Sequence, residues 1–450
     1  MTVDIEAVRH RSAQQKVQLP QMYGAVDFGV RPERFTVDPN VESFMRAEMV
    51  SERPRLLANQ EKVATIEAFT MLGDEVSDAY VALMPELGFR KLTQMLAQAC
   101  AEGVDSVEDA PPELRALIED MERVPDWLDM DKVREGARLE RNFSAHVIPL
   151  IIRGAFVGTF MNTYAALPMS LTGALSERTA AKRVKETGAY FISSVMPSAL
   201  DRYGLGFHSA AMVRLMHSMV RFNLLRKGKW DSEIYGIPIP QVDQMPAGMM
   251  PIFLLGLSVL NKGRDYFTPE EQARVECVRY RCFLLGLPEE LLPDTPREIV
   301  DIMATRHATL RKAYDDKICG DLVRATMGAD LEPDDSRSSR LRDRYGRSLA
   351  KLFFVKSFVN GDRKRAAEMG MALTPGDYGR AAALGALIGV RLGTYHVLTK
   401  IPATQNWADA RLVAKLEREL KRMGYAEFVT DSSAYSATDA TTSAAAGTDR

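Results

Sequence analysis

The chain has 450 residues, 46% of them hydrophobic, and its 58 Lys and Arg against 60 Asp and Glu leave a net charge of −2 at pH 7. That is enough apolar material for one large domain or two ordinary ones. The charge balance argues against a dedicated nucleic-acid or anionic-membrane surface, and Cys100, Cys277, Cys282 and Cys319 contain no CxxC pair that would mark a zinc ribbon or redox dithiol.

Taken in chain order, residues 1–40 read as an N-terminal arm. Met1 to Gln21 is polar, with no apolar run of the kind an export signal carries, so a cytoplasmic location is expected, and a secreted one only if a leader preceded it. Residues 41–428 read as a single helical domain. Strand signals are sparse, and helix-period patterns recur at Lys62–Ala79, Glu86–Glu102, Pro112–Arg123, Met130–Asn142, Ile148–Ala165, Ser176–Val195, Ala210–Lys227, Pro246–Leu260, Pro269–Leu285, Arg297–Lys317 and Pro375–Leu398. The expected fold class is therefore all-α.

His146 to Leu175 is long and apolar enough to raise the question of a membrane span. Its glycines, its prolines and Arg153 favour a buried core helix, so no stable span is expected. Thr268-Pro269-Glu270-Glu271 is a helix start with a capping pattern, and Leu285-Gly286-Leu287-Pro288 a matching stop. Glu332 to Arg347, charged and serine-rich, reads as an exposed connector. Residues 429–450 are Ser, Thr, Ala and Asp with almost no large apolar side chain, and a disordered tail is expected.

One helical stripe carries chemistry. Arg214, His217 and Arg221 stand at i−3, i and i+4, so the three share a face. A neutral imidazole binds a metal and flanking guanidinium groups suit carboxylates, which together match an iron porphyrin with its two propionates. The same pattern also occurs on ordinary half-buried helices. His146, His208, His307 and His396 lack arginines on both sides.

A second stripe places Arg183, Glu186 and Thr187 on one face, continued by Tyr190 and Phe191. Beside a haem such a face provides an arginine, a hydroxyl and a carboxylate able to move protons; alternatively it is a surface ion pair. A third element, Trp230 to Asp243, is a turn-rich loop followed by Met245, Met249 and Met250, in which Gln241 and Asp243 either fix the loop or reach a cofactor, the structural role being favoured.

Together with Val124-Pro125-Asp126-Trp127 and Phe283 to Leu292, these strings resemble the rubber oxygenase family, which groups latex-clearing proteins with MpaB-type oxygenases; the likeness spans about residues 120 to 310. The resemblance implies a globin-like helical core holding haem b, with His217 as proximal iron ligand, Arg214 and Arg221 supporting the haem site, and Arg183 and Thr187 on the distal side. It implies an oxygenase that adds dioxygen across a carbon–carbon double bond of an isoprenoid, small or polymeric, to give two carbonyl ends. The chain departs from the latex-clearing pattern in two places. Glu186 stands where those enzymes have a lysine, and Tyr164 to Met169, where they carry a glutamate base, contains no acid. Glu186 is therefore a candidate replacement base. The alternatives are a haem-binding sensor or storage protein without turnover, and a helical protein in which the stripe is structural.

Overall fold

The computed structural model describes residues 3–172 and 179–424; the expected tail at 429–450 lies outside them. Every regular element described is helical, and two isolated antiparallel bridges, Phe35 with Leu310 and Ser43 with Arg311, tie extended segments together. The chain is all-α, as its periodicity predicts.

In the N-terminal part run α1 (Ile5–Gln18), α2 (Gln60–Phe69), α3 (Glu75–Val81), α4 (Phe89–Glu102) and α5 (Pro112–Glu122). Residues of the expected arm enter the main core: Val8, Met22, Tyr23 and Phe35 are buried in it. The single helix expected over Lys62–Ala79 is broken between Phe69 and Glu75. Asp74 restarts it as an N-cap, its carboxylate accepting from the Ser77 amide at 3.3 Å. Gly73 is required by crowding, because a Cβ there would lie 2.3 Å from the Tyr23 hydroxyl.

The middle of the chain forms α6 (Met130–His146), α7 (Ile148–Val157), α8 (Thr163–Leu171), α9 (Ala180–Ser193) and α10 (Leu205–Arg226). The apolar segment after His146 is no straight span: α6 and the helix that follows meet at 88°. Asn162 starts α8 by accepting from the Tyr164 amide at 3.0 Å, which divides the helix expected over Ile148–Ala165. α10 passes through the main core and packs against α3, α4 and α9.

There follow α11 (Gln241–Asn261), α12 (Pro269–Leu284), α13 (Pro296–Thr309), α14 (Arg337–Phe358), α15 (Pro375–Leu398) and α16 (Pro402–Met423). α11 begins five residues before the expected start at Pro246, with Pro246 and Pro251 inside it. The Gln241 amide, an orphan of the first turn, donates to Leu72 O at 3.0 Å in the break between α2 and α3. α12 has the expected capping box at Thr268 and Glu271, and ends at Gly286, whose φ of +82° suits glycine.

The expected connector at Glu332–Arg347 is largely helix. Ser336 caps α14, and the charges pair along it, Arg347 with Asp343 and Arg342 with Glu332. α16 was not signalled by the sequence, yet it buries Ala408, Leu412, Leu416 and Leu420 at helical spacing, packing on α6 and α9. α11 and α15 are long and apolar enough to cross a membrane by length and composition; α11 is half buried, whereas α15 is almost wholly exposed. Neither is the segment that raised the question in the sequence.

Candidate active site

The residues around His217 are held by two buried ionic clamps. Arg214 donates from Nε and Nη2 to the two oxygens of Asp74, each at 2.7 Å, and from Nη1 to Asp120 at 2.8 Å. This two-pronged geometry is the one guanidinium groups favour with carboxylates. Gly286 makes room for it, since a Cβ there would lie 2.7 Å from Arg214 Nε and 2.6 Å from Asp74 Oδ2.

One turn beyond His217, Arg221 is wholly buried. It pairs with Asp78 and donates to the carbonyls of Pro238 at 3.0 Å and Ile239 at 2.7 Å. Asp78 also accepts from the Tyr23 hydroxyl at 2.5 Å. Both arginines thus find carboxylates, as their chemistry predicts, but the partners are Asp74, Asp120 and Asp78 from α3, its N-cap and α5. Through these pairs both arginines fix α10, the helix that carries His217.

His217 itself is half-buried, and its Nδ1 lies 3.1 Å from Oε1 of Gln244. The proton's position follows from a chain of bonds that begins at an atom able only to accept. Gly73 O takes a bond from Gln241 Nε2 at 2.8 Å, so Gln241 Oε1 faces Gln244. Gln244 Nε2 donates to that oxygen at 2.9 Å, so Gln244 turns its own Oε1 to the imidazole. Nδ1 must then carry the hydrogen, and Nε2 is left with its lone pair.

Burial, with the Arg221 charge adding to it, pushes the His217 pKa down to about 4 against the opposing bond to Gln244. The ring is therefore neutral at physiological pH. His146 and His307 instead turn Nδ1 onto carbonyls of their own helices, Asn142 O at 3.0 Å and Met303 O at 2.6 Å.

A neutral histidine whose second nitrogen donates to a fixed acceptor is the usual state of a metal ligand. Among the described residues no group of three or more His, Cys, Asp or Glu side chains is arranged to hold a metal. A metal at His217 would need most of its ligands from a prosthetic group, so the donor set fits a haem better than a protein-built centre.

On α9, Arg183 donates to Oε2 of Glu186 at 2.8 Å, and both are buried. Lys182 stands 3.9 Å from Oε1, which makes no hydrogen bond although buried. Burial raises the Glu186 carboxyl above its ordinary range, with Arg183 and Lys182 pulling the other way. Thr187 is half-buried on the same helix.

The hydroxyl of Tyr190 and Nε of Arg281 are also buried without hydrogen-bond partners. α9 touches α10 where Ser193 Oγ meets Ser209 Oγ at 3.4 Å. Counted from that contact at 1.5 Å per residue, Thr187 lies about 9 Å back along α9 and His217 about 12 Å on along α10. That contact joins the helices that carry the two stripes.

Sequence reasoning missed Asp74, Asp78, Asp120, Tyr23 and Gln244. Gln241 has the favoured structural role: it ties the end of the loop to Leu72 O and Gly73 O and also fixes Gln244. Asp243 is structural, held by Arg34 at 2.6 Å and Arg306 at 2.8 Å.

No curated protein matches the chain. Its fold is similar to that of a solved structure of latex clearing protein in the closed state, with a TM-score of 0.55 and 17% identity over 78% of this chain and 91% of that one. The family model described as ER-bound oxygenase mpaB/B′/rubber oxygenase, catalytic domain, matches residues 141–389, a stretch that contains α9, α10 and Gln244. The chain belongs to the MpaB and rubber oxygenase family.

Proposed function

We propose that the protein is a haem b-dependent oxygenase that adds dioxygen across a carbon–carbon double bond of an isoprenoid or rubber-like alkene, releasing two carbonyl ends. The observation that carries this reading is the fixed tautomer of His217, a neutral imidazole with Nε2 free to bind iron. Bound haem would supply the activation of dioxygen, chemistry the side chains themselves lack.

The protein's own contributions follow from the geometry. His217 would hold the iron, with Gln244 setting the ring's orientation. Arg214 and Arg221 keep α10 in place through Asp74 and Asp78. Glu186 offers a buried oxygen, Oε1, on which a proton can reside, and Arg183 fixes the opposite oxygen. Tyr164 to Met169 forms part of α8 and carries no acid, so Glu186 is the proton-holding group assigned to the distal side.

The test is oxygen uptake by haem-loaded protein with polyisoprene, squalene and carotenoids, followed by identification of the products. Aldehydes or ketones in step with oxygen consumed are expected. Haem-loaded protein that consumes no oxygen with any of them would contradict the reading.

A further inference from the structure

Away from His217, α6 and α7 meet α14, α15 and α16 around a cavity of about 210 Å³. One side is apolar, formed by Leu150, Leu384, Leu387 and Ile388. The other is crowded with charge, most of it paired: Arg153 with Asp343, Arg342 with Glu332, and Arg422 with Glu332 and Glu419.

Two cations on that lining are unmatched. Lys415 on α16 is half-buried, Arg391 on α15 faces the same space, and neither makes a hydrogen bond or ion pair among the described residues. Burial, and then the charge of Arg391, pushes the Lys415 amine down to about 8, with Glu419 acting the other way. His146, also on the lining, is held neutral by burial, its pKa near about 4, and adds no charge. Nε of the buried Arg153 has no hydrogen-bond partner. Two like charges brought together beside an apolar wall are costly unless an anion joins them.

We propose that this cavity binds an anionic amphiphile, its acidic head between Lys415 and Arg391 and its hydrocarbon chain along Leu384, Leu387 and Ile388. A free fatty acid and an acidic membrane lipid share that chemistry. The site shares no lining residue with the His217 region, and its occupancy does not depend on haem.

The test is displacement of a dansyl-labelled fatty acid from the full-length protein by decanoate, by butyrate, and by phosphatidylcholine vesicles with and without phosphatidylglycerol. Saturable probe binding is expected, weakened at least tenfold in Lys415→Met and in Arg391→Met, the latter at an exposed position that tolerates change. Decanoate should compete at least tenfold better than butyrate. Competition by decanoate identifies a free acid as sufficient; competition by phosphatidylglycerol vesicles alone identifies a lipid. Probe binding unchanged in both variants, or butyrate as effective as decanoate, or competition by neither decanoate nor acidic vesicles, would overturn the proposal.

Discussion

Oε1 of Gln244 accepts from Nδ1 of His217 at 3.1 Å, and the rest of the Gln244 amide is fixed by Gln241, so a side chain on α11 decides which nitrogen of a histidine on α10 carries its proton. Partners of this kind typically change metal affinity about 10–100-fold when removed. Gln244→Leu should weaken haem retention by that order while leaving the fold intact, and Gln244→Glu, a stronger acceptor, should lower the iron midpoint potential. Haem titration and potentiometry check both. Unchanged retention and potential in both variants would remove Gln244 from the site.

The Arg221–Asp78 pair has no exposed surface. Removing one partner of such a pair leaves an uncompensated buried charge, at about 3–5 kcal/mol. Asp78→Asn should lower the unfolding free energy by that amount in urea titrations of the haem-free protein, and a loss below about 1 kcal/mol would mean that water reaches the pair.

Gly286→Ala should destabilise for two reasons. Its φ of +82° disfavours a side chain, and the added methyl would press on Arg214 and Asp74. A loss of about 1–3 kcal/mol is expected, with haem binding weakened in parallel as α10 loosens. A variant as stable as wild type would show that the clamp has slack.

The pH dependence of the haem-free protein follows from His217. Its folded pKa, lowered to about 4, lies below the value near 6.5 of an unfolded histidine, so unfolding takes up a proton between those values. Stability is therefore full above about pH 6.5 and falls as pH drops toward 4. His146 and His307, also lowered to about 4, act in the same direction. His217→Asn should reduce the slope of stability against pH across that window by about 1.4 kcal/mol per pH unit. An unchanged slope would place His217 in water.

Glu186 provides a second pH signature. Burial raises its carboxyl, so the protonated form persists to higher pH than for an ordinary glutamate. If turnover uses that proton, activity falls as pH rises through the raised value, and Glu186→Gln should lower the rate and remove that limb of the pH–rate profile. Unchanged turnover in Glu186→Gln would exclude the residue from the mechanism.

Much of this was legible in the sequence because helical spacing is local. The Arg214–His217–Arg221 stripe, the capping box at Thr268 and the stop at Gly286 are set by residues within a turn or two of one another. The carboxylates that engage the arginines were not legible, since Asp74 and Asp120 lie 140 and 94 positions from Arg214 and no periodicity links them. The break between α2 and α3 was missed for the same reason. Tyr23 and Asp78 leave no room for a side chain at Gly73, and the break presents Leu72 O and Gly73 O to Gln241. Gln244 was passed over because the chain from Pro246 onward was read as the helix, which left the two glutamines in a loop.

The most direct test of the central claim is the absorption spectrum of the haem-loaded protein and of His217→Gly, with and without added imidazole. The account predicts a Soret band in the wild type, its loss or shift in His217→Gly, and its recovery when imidazole fills the space left by the ring. A wild type that takes up no haem, or a band that His217→Gly leaves unaltered, would contradict it.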